Sequence, residues 1–336
     1  FSFDMISDVM YTLTIELEFF GNTYTDIHEN INDTTISISS NSLDPLLVVT
    51  SQDDAVFTYF VHASDEEYTV SSDTGQFVLS RSPLGCYENE VELWGECYSI
   101  EETDSLDLSG SDLTGEISPE IGNLTNLTFL ELSQNQLTGE IPTEIGNLIN
   151  LKWLSLWENQ LTGNIPESIW DLILLENLDL GANQLAGSIP PEIGNLINLQ
   201  KLFLDNSQFT GEIPPEIGNL VNLVWLVLSG NELTGEIPSE IWNLTNLRAL
   251  YLSNNQFTGS IHSEIGNLEH LQRIVVYSNQ FTGNIPSEIG NLTNLVRLKM
   301  HSNQLTDPIP ETLCNLSNLT WSLEDSSYSV STLYGN

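Results

Sequence analysis

One 24-residue unit recurs nine times in register between residues 104 and 319, with no insertion, and it limits what this chain can fold into more than any other feature. The unit is clearest at 127–151, LTFLELSQNQLTGEIPTEIGNLINL. Leu130 and Leu132 alternate with Phe129, Glu131 and Ser133, the two-residue period of a strand with one face turned inward. Asn135 closes the strand, where an amide side chain can bond backbone groups that the turn leaves unpaired. The slot holds Asn159, Asn183, Asn231, Asn255, Asn279 and Asn303 in other coils, and departs to Ser111 and Ser207. Leu137, Ile141, Ile145 and Leu148 complete an apolar wall, Gly139 suits a tight turn, and Pro142 limits local helix. One such coil cannot enclose a core; stacked coils bury a continuous one. At about 4.8 Å per strand, nine coils stack over roughly 40 Å.

The pattern LxxLxLxxNxL, with LTGEIP and EIGNL in most coils, closely resembles the plant-type subclass of leucine-rich repeats. The resemblance covers about 216 of the 336 residues. It implies an α/β-type solenoid, a right-handed superhelix with a parallel sheet on its concave face, and commonly a role in binding. Residues 93–117, LWGECYSIEETDSLDLSGSDLTGEI, resemble the N-terminal cap of such proteins, with Trp94 expected over the end of the core. Cys86 and Cys97 flank the start of the array, and a disulfide between them would staple this cap in an oxidising compartment. Cys314 stands in a slot usually filled by Gly. It reads as a buried free thiol, or as one member of a C-terminal cap pair whose second cysteine would lie further on.

The expected domains are an N-terminal strand or helix at 1–20, a small β domain at 21–82, the cap at 83–103, the array at 104–319, and a C-terminal cap or part of one at 320–336. Tyr11, Leu13, Ile15, Leu17 and Phe19 alternate with polar residues and favour a strand over 9–20. The polar stretch Gly21 to Asp33 reads as a loop or linker. Short β-like runs follow at Thr34–Ser39, Leu46–Thr50, Ala55–His62, Tyr68–Ser71 and Gln76–Ser80, a spacing that suggests an antiparallel sandwich-like domain. The leading Phe is similar to mature type IV pilins, but Asp4, Asp8, Glu16 and Glu18 break the uncharged segment that family needs.

With 47 acids against 7 bases and a net charge of -40, nucleic acid is excluded as a partner. No run of 18 apolar residues is present, so no membrane-inserted helix is expected. Neither GxSxG, HExxH, a P-loop nor a strand-borne GxGxxG occurs, and His28, His62, His262, His270 and His301 lack ligand spacing; no enzyme, cofactor or metal site is expected.

Candidate function lies in the outward-facing residues of the repeat strands. Phe129, Trp153, Trp157, Phe203, Trp225, Tyr251 and Tyr277 stand where packing does not require aromatics, a pattern that marks binding surfaces or cross-strand stacking. Six of the seven bases, Lys152, Lys201, Arg248, Arg273, Arg297 and Lys299, lie in or beside the same strands. From these the expected partner-binding set is Phe129, Trp153, Trp157, Lys201, Phe203, Trp225, Tyr251, Arg273, Tyr277, Arg297 and Lys299. A further ladder of threonines, Thr114 to Thr306 with Ala186 as its gap, suits either ice binding or the backbone needs of the repeat. The reading is a secreted or cell-surface recognition or adhesion protein that binds a protein or glycan. The alternative is a self-assembling subunit of a surface filament or layer, in which the N-terminal strand completes a neighbouring copy's sheet.

Overall fold

The computed structural model describes residues 11–19, 22–31, 55–64, 69–71, 75–79, 86, 89–306 and 309–319, the first five runs as backbone strands only. The chain divides into two compact units, Phe1–Gly85 and Cys86–Asn336.

In the first unit the described strands form one five-stranded antiparallel sheet. Tyr11–Phe19 lies between Asn22–Ile31 and Ala55–Ser64, hydrogen-bonded to both, and Thr69–Ser71 and Gly75–Leu79 pair with Ala55–Ser64. The strand expected within 9–20 is therefore engaged on both of its edges by its own chain. The expected linker over 21–33 is corrected, because Asn22–Ile31 is a strand. Thr23, Tyr24, Thr25 and Ile27 favour extended backbone, and the polarity that suggested a loop is that of a strand at the edge of the sheet among the described residues. The runs expected at 34–39 and 46–50 lie outside the described residues.

The second unit is the solenoid. Each coil gives one short strand to a nine-stranded parallel sheet, running in chain order from Ser105–Asp107 to Arg297–Lys299. The register steps by one repeat at each strand, so Leu130, Leu154, Leu178, Leu202, Leu226 and Leu250 stand side by side, all fully buried. Leu137, Ile141, Ile145 and Leu148 line the same continuous core. After its strand the chain turns through a left-handed residue, such as Glu158 at φ 56°, into the asparagine slot. Gly139, at φ 77°, makes a second turn that a side chain would strain. A 3-10 segment such as Thr143–Asn147 then returns the chain, its start fixed by Pro142 in extended backbone.

The asparagines knit the coils. Asn159 donates Nδ2 to the carbonyls of Leu132 and Leu156, while its Oδ1 accepts from the N–H of Leu137. Asn183, Asn231, Asn255, Asn279 and Asn303 repeat this bonding coil after coil. At Ser207 the ladder breaks, and its Oγ is buried without a hydrogen-bond partner. The cap closes the first coil: Glu90–Leu93 and Glu96–Ser99 form a hairpin, Cys86 and Cys97 are disulfide-bonded, and Trp94 packs against the core beneath. Cys314 is a free and exposed thiol, which corrects the expectation of a buried one. In earlier coils this slot is covered by the next turn, as Gly290 is by Thr312; no further described coil follows Cys314.

Candidate functional site

The concave sheet presents three rows of outward side chains, and each row is set by the repeat. Strand pairing aligns Phe129, Trp153, Asn177, Lys201, Trp225, Ala249, Arg273 and Arg297 in the first. The second holds Glu131, Ser155, Asp179, Phe203, Val227, Tyr251, Val275 and Lys299. Two residues further on in each coil come Ser133, Trp157, Gly181, Asp205, Ser229, Ser253, Tyr277 and His301.

Every expected aromatic lies half-buried on this face, and the structure sorts them into groups. Phe129 stacks on Trp153 at 5.6 Å between ring centres, Trp153 Nε1 donates to Glu131, and Lys201 Nζ sits 5.3 Å over the Trp153 ring. Phe203, Trp225 and Tyr251 follow one another at 6.2 and 6.5 Å, with the Arg273 guanidinium 5.2 Å over Trp225. Tyr277 stacks on His301 at 4.7 Å. Arg297 is exposed beside Arg273, and Lys299 is half-buried beside Val275. Cross-strand stacking and exposure thus coexist, since flat rings shield one another while leaving edges and faces open.

Between the first and second groups lies a cavity of about 340 Å³, lined by Trp157, Asp179, Phe203, Asp205, Trp225, Val227 and Tyr251. Asp179 and Asp205 are absent from the set expected from sequence. Gly181 makes the room, because a Cβ there would lie 2.7 Å from Asp205 Oδ1. Burial pushes the Asp179 carboxyl up to about 7, and the nearby carboxylates of Asp205 and Glu131 push the same way against a hydrogen bond from the Gly181 N–H. Burial also raises Asp205, opposed by hydrogen bonds that include one from Asn206 Nδ2 at 2.6 Å. The signal was available in part: Asp179 has Phe203 beside it in its row, whereas Asp205 stands between Gly181 and Ser229 and gains its enclosure from rings of other rows.

A second feature was missed. Ile149, Ile173, Ile197 and Val221 occupy one repeat position on four successive coils and are all more than half exposed. The same position is Thr125, Thr245 and Thr293 elsewhere, where it completes the Asn-Leu-Thr sequons. The asparagines of those sequons, Asn123, Asn243 and Asn291, are exposed, while Asn126 and Asn318, which head sequons at another repeat position, donate their amides to carbonyls of the preceding coil. The threonine ladder serves the backbone: Thr162, Thr210 and Thr282 donate to the glycine carbonyls of the preceding coil. Its members are also staggered, Thr162 standing opposite Gln184 rather than opposite another threonine.

Among the described residues, the one grouping of His, Cys, Asp and Glu close enough to hold a metal ion is Cys86, Glu90 and Cys97, whose sulfurs are joined in the disulfide. No helix among the described residues is long and apolar enough to cross a membrane.

Residues 103–124, 126–148, 150–172 and 174–196 each match the family described as Leucine Rich Repeat, and residues 191–329 match the family described as Leucine-rich repeat region. The chain belongs to the leucine-rich-repeat family. Its repeats are of the plant type, as its solved neighbours also indicate. It is 42% identical to the ectodomain of the plant membrane receptor kinase GASSHO1/SCHENGEN3 from Arabidopsis thaliana, solved in complex with CASPARIAN STRIP INTEGRITY FACTOR 2. That match covers 64% of this chain and 26% of the other, with a TM-score of 0.63. It is 43% identical to the plant peptide hormone receptor RGFR1, solved with RGF2, over 62% of this chain and 33% of that one, with a TM-score of 0.60. A leucine-rich-repeat protein of the bacterium Leptospira interrogans is 38% identical over 61% and 50% of the two chains, with a TM-score of 0.52. This chain therefore spans between a quarter and a half of the length of these proteins. The comparison with curated proteins returns no match.

Proposed function

We propose that this leucine-rich-repeat protein is an extracellular, non-enzymatic recognition module that binds a peptide or protein on its concave sheet. The observation that carries the reading is the half-buried aromatic surface of Phe129, Trp153, Trp157, Phe203, Trp225, Tyr251 and Tyr277, open around one cavity. Large rings held rigid by their neighbours bury area in a partner at little entropic cost. Charge is divided along the sheet. Glu131 and Asp179 lie in the second and fourth coils, Asp205 beside Lys201 in the fifth, and Arg273, Arg297 and Lys299 in the last two, an asymmetry that would orient an extended partner. The plant receptor RGFR1, similar over the array, is a peptide hormone receptor, which supports a protein-class ligand. The cap disulfide supports an oxidising, extracellular setting.

The test is to pan a displayed random-peptide library on the purified chain and on Trp153→Ala/Trp225→Ala. Peptides selected by the parent are expected to lose tenfold or more in affinity for the double variant, since buried aromatic anchors commonly contribute about 2 kcal/mol. Equal binding by both proteins moves the site elsewhere, first to the exposed stripe of Ile149, Ile173, Ile197 and Val221.

A further inference from the structure

The cavity on the concave sheet has a chemistry of its own. Its walls are aromatic: Trp157 on one side, Phe203, Trp225 and Tyr251 on the other. Two carboxylates, Asp179 and Asp205, stand among those rings. Neither pairs with a Lys, Arg or His among the described residues, although the chain places most of its bases on this very sheet. Lys201 and Arg273 lie instead over Trp153 and Trp225, and Lys201 is absent from the cavity lining.

Local structure does not account for the acids. An acid in the second row accepts a hydrogen bond from the N–H two residues on, as Asp179 does from Gly181 and Asp107 from Ser109. At Asp107 that bond forms on an open surface, and hydrogen bonding there lowers the carboxyl's affinity for protons. The turn therefore accepts an acid without requiring its enclosure by rings, and other coils turn with Ser155, Phe203 or Val227 in that place. At Asp179 the Oδ1 atom meets the turn, while Oδ2 has no hydrogen-bond partner among the described residues. Carboxylates enclosed by ring faces make a site for a cation, because the faces carry negative charge density and the acids supply formal charge.

We propose that this cavity is the subsite for one cationic side chain, arginine by preference, of the peptide or protein bound on the concave sheet. The inference rests on the recognition reading above and adds the chemical class of the group recognised. A planar guanidinium can stack on a ring face that lines the cavity while its N–H groups reach Asp179 and Asp205. Binding also gains as pH rises. Asp179 holds a proton below about 7, and the charges facing it are the carboxylates of Glu131 and Asp205, with Lys201 on the adjoining strand. Deprotonation above that point supplies the second negative charge that a cation requires.

The experiment titrates the full chain with acetyl-Arg-methylamide and with its neutral isostere acetyl-citrulline-methylamide, read by tryptophan fluorescence and by NMR of the ligand. The arginine probe is expected to bind about tenfold more tightly than the citrulline probe, severalfold more tightly at pH 8 than at pH 6, and about tenfold more weakly to Asp179→Asn/Asp205→Asn. Those substitutions remove partly buried charge, so the variant is expected to fold. Glu167→Gln, an exposed acid on the 3-10 segment Glu167–Asp171 away from the sheet, leaves the probe's affinity unchanged. Equal binding of the two probes, or undiminished binding by the Asn variant, overturns the proposal. If library peptides still depend on Trp153 and Trp225 while the probes bind alike, this inference falls alone. If the arginine probe prevails but no library peptide needs those tryptophans, the recognition reading is the one that fails.

Discussion

Ser207 and Asp179 are single residues at which the repeat departs from its own logic. Ser207 is too short to repeat the bonds of its neighbours, and its buried hydroxyl has no partner. In Ser207→Asn the new amide is expected to donate to the carbonyls of Leu180 and Leu204, as Asn231 does to Leu204 and Leu228. A gain of about 1 kcal/mol is expected in chemical denaturation, the ordinary net value of restored hydrogen bonds; an unchanged midpoint would show that the slot no longer accepts the ladder. Asp179 gives a pH signature. Its carboxyl is raised from 3.8 to about 7 in the folded chain, so between those values the native state holds a proton that the unfolded state has released. Its contribution to stability accordingly falls as pH rises from about 4 to 7 and is flat above. Asp179→Asn, which keeps an acceptor for the Gly181 N–H, is expected to match the parent near pH 4. Above pH 7 it should exceed the parent by roughly 2–4 kcal/mol, measured as melting against pH. A residue that lowers stability in this way, on a surface, supports the binding role proposed for the cavity. The leucines and asparagines were legible from sequence because each meets its own equivalent in the next coil. Asp205 was not, because its burial is decided by Gly181 and by ring faces of other coils.

At the scale of elements, the cap is where the array is most dependent on covalent help. The hairpin of Glu90–Leu93 and Glu96–Ser99 covers the apolar end of the first coil, and two short strands do not hold by themselves. Cys86→Ser/Cys97→Ser is expected to cost about 2–3 kcal/mol, with hydrogen exchange rising first in the cap and the first coil rather than at the last. Uniform exchange along the array would mean that the cap is held by packing of Trp94 and Leu93 alone. This pairing was legible because both cysteines flank the cap. The strand Asn22–Ile31 was not, since sheet-edge position, which tolerates polar residues, is a property of the neighbours and not of the segment. Most of the short 3-10 turns follow a proline in extended backbone, as Thr143–Asn147 and Glu167–Asp171 do, while Ser263–Asn267 forms after His262 in the same conformation.

Taken whole, the molecule holds 47 acids against 7 bases, and six of those bases lie in or beside the strands of one sheet. Mutual repulsion among the remaining acids opposes the compact state and is screened by salt over about 10 Å at 0.1 M. Melting temperature is expected to climb steadily from 10 mM to 500 mM NaCl; a flat response would place the acids too far apart to matter. Because each coil touches only its neighbours, stability along the array is a sum of local interfaces rather than a shared total. The gap at Ser207 then has a mechanical meaning. Asn135 to Asn183 form one unbroken run of amide bonds and Asn231 to Asn303 another, with the fifth coil as the seam between them. Pulled from its two ends, the array would part at this seam first, yielding two lengths that each rupture as a block, like a zip with one tooth filed short.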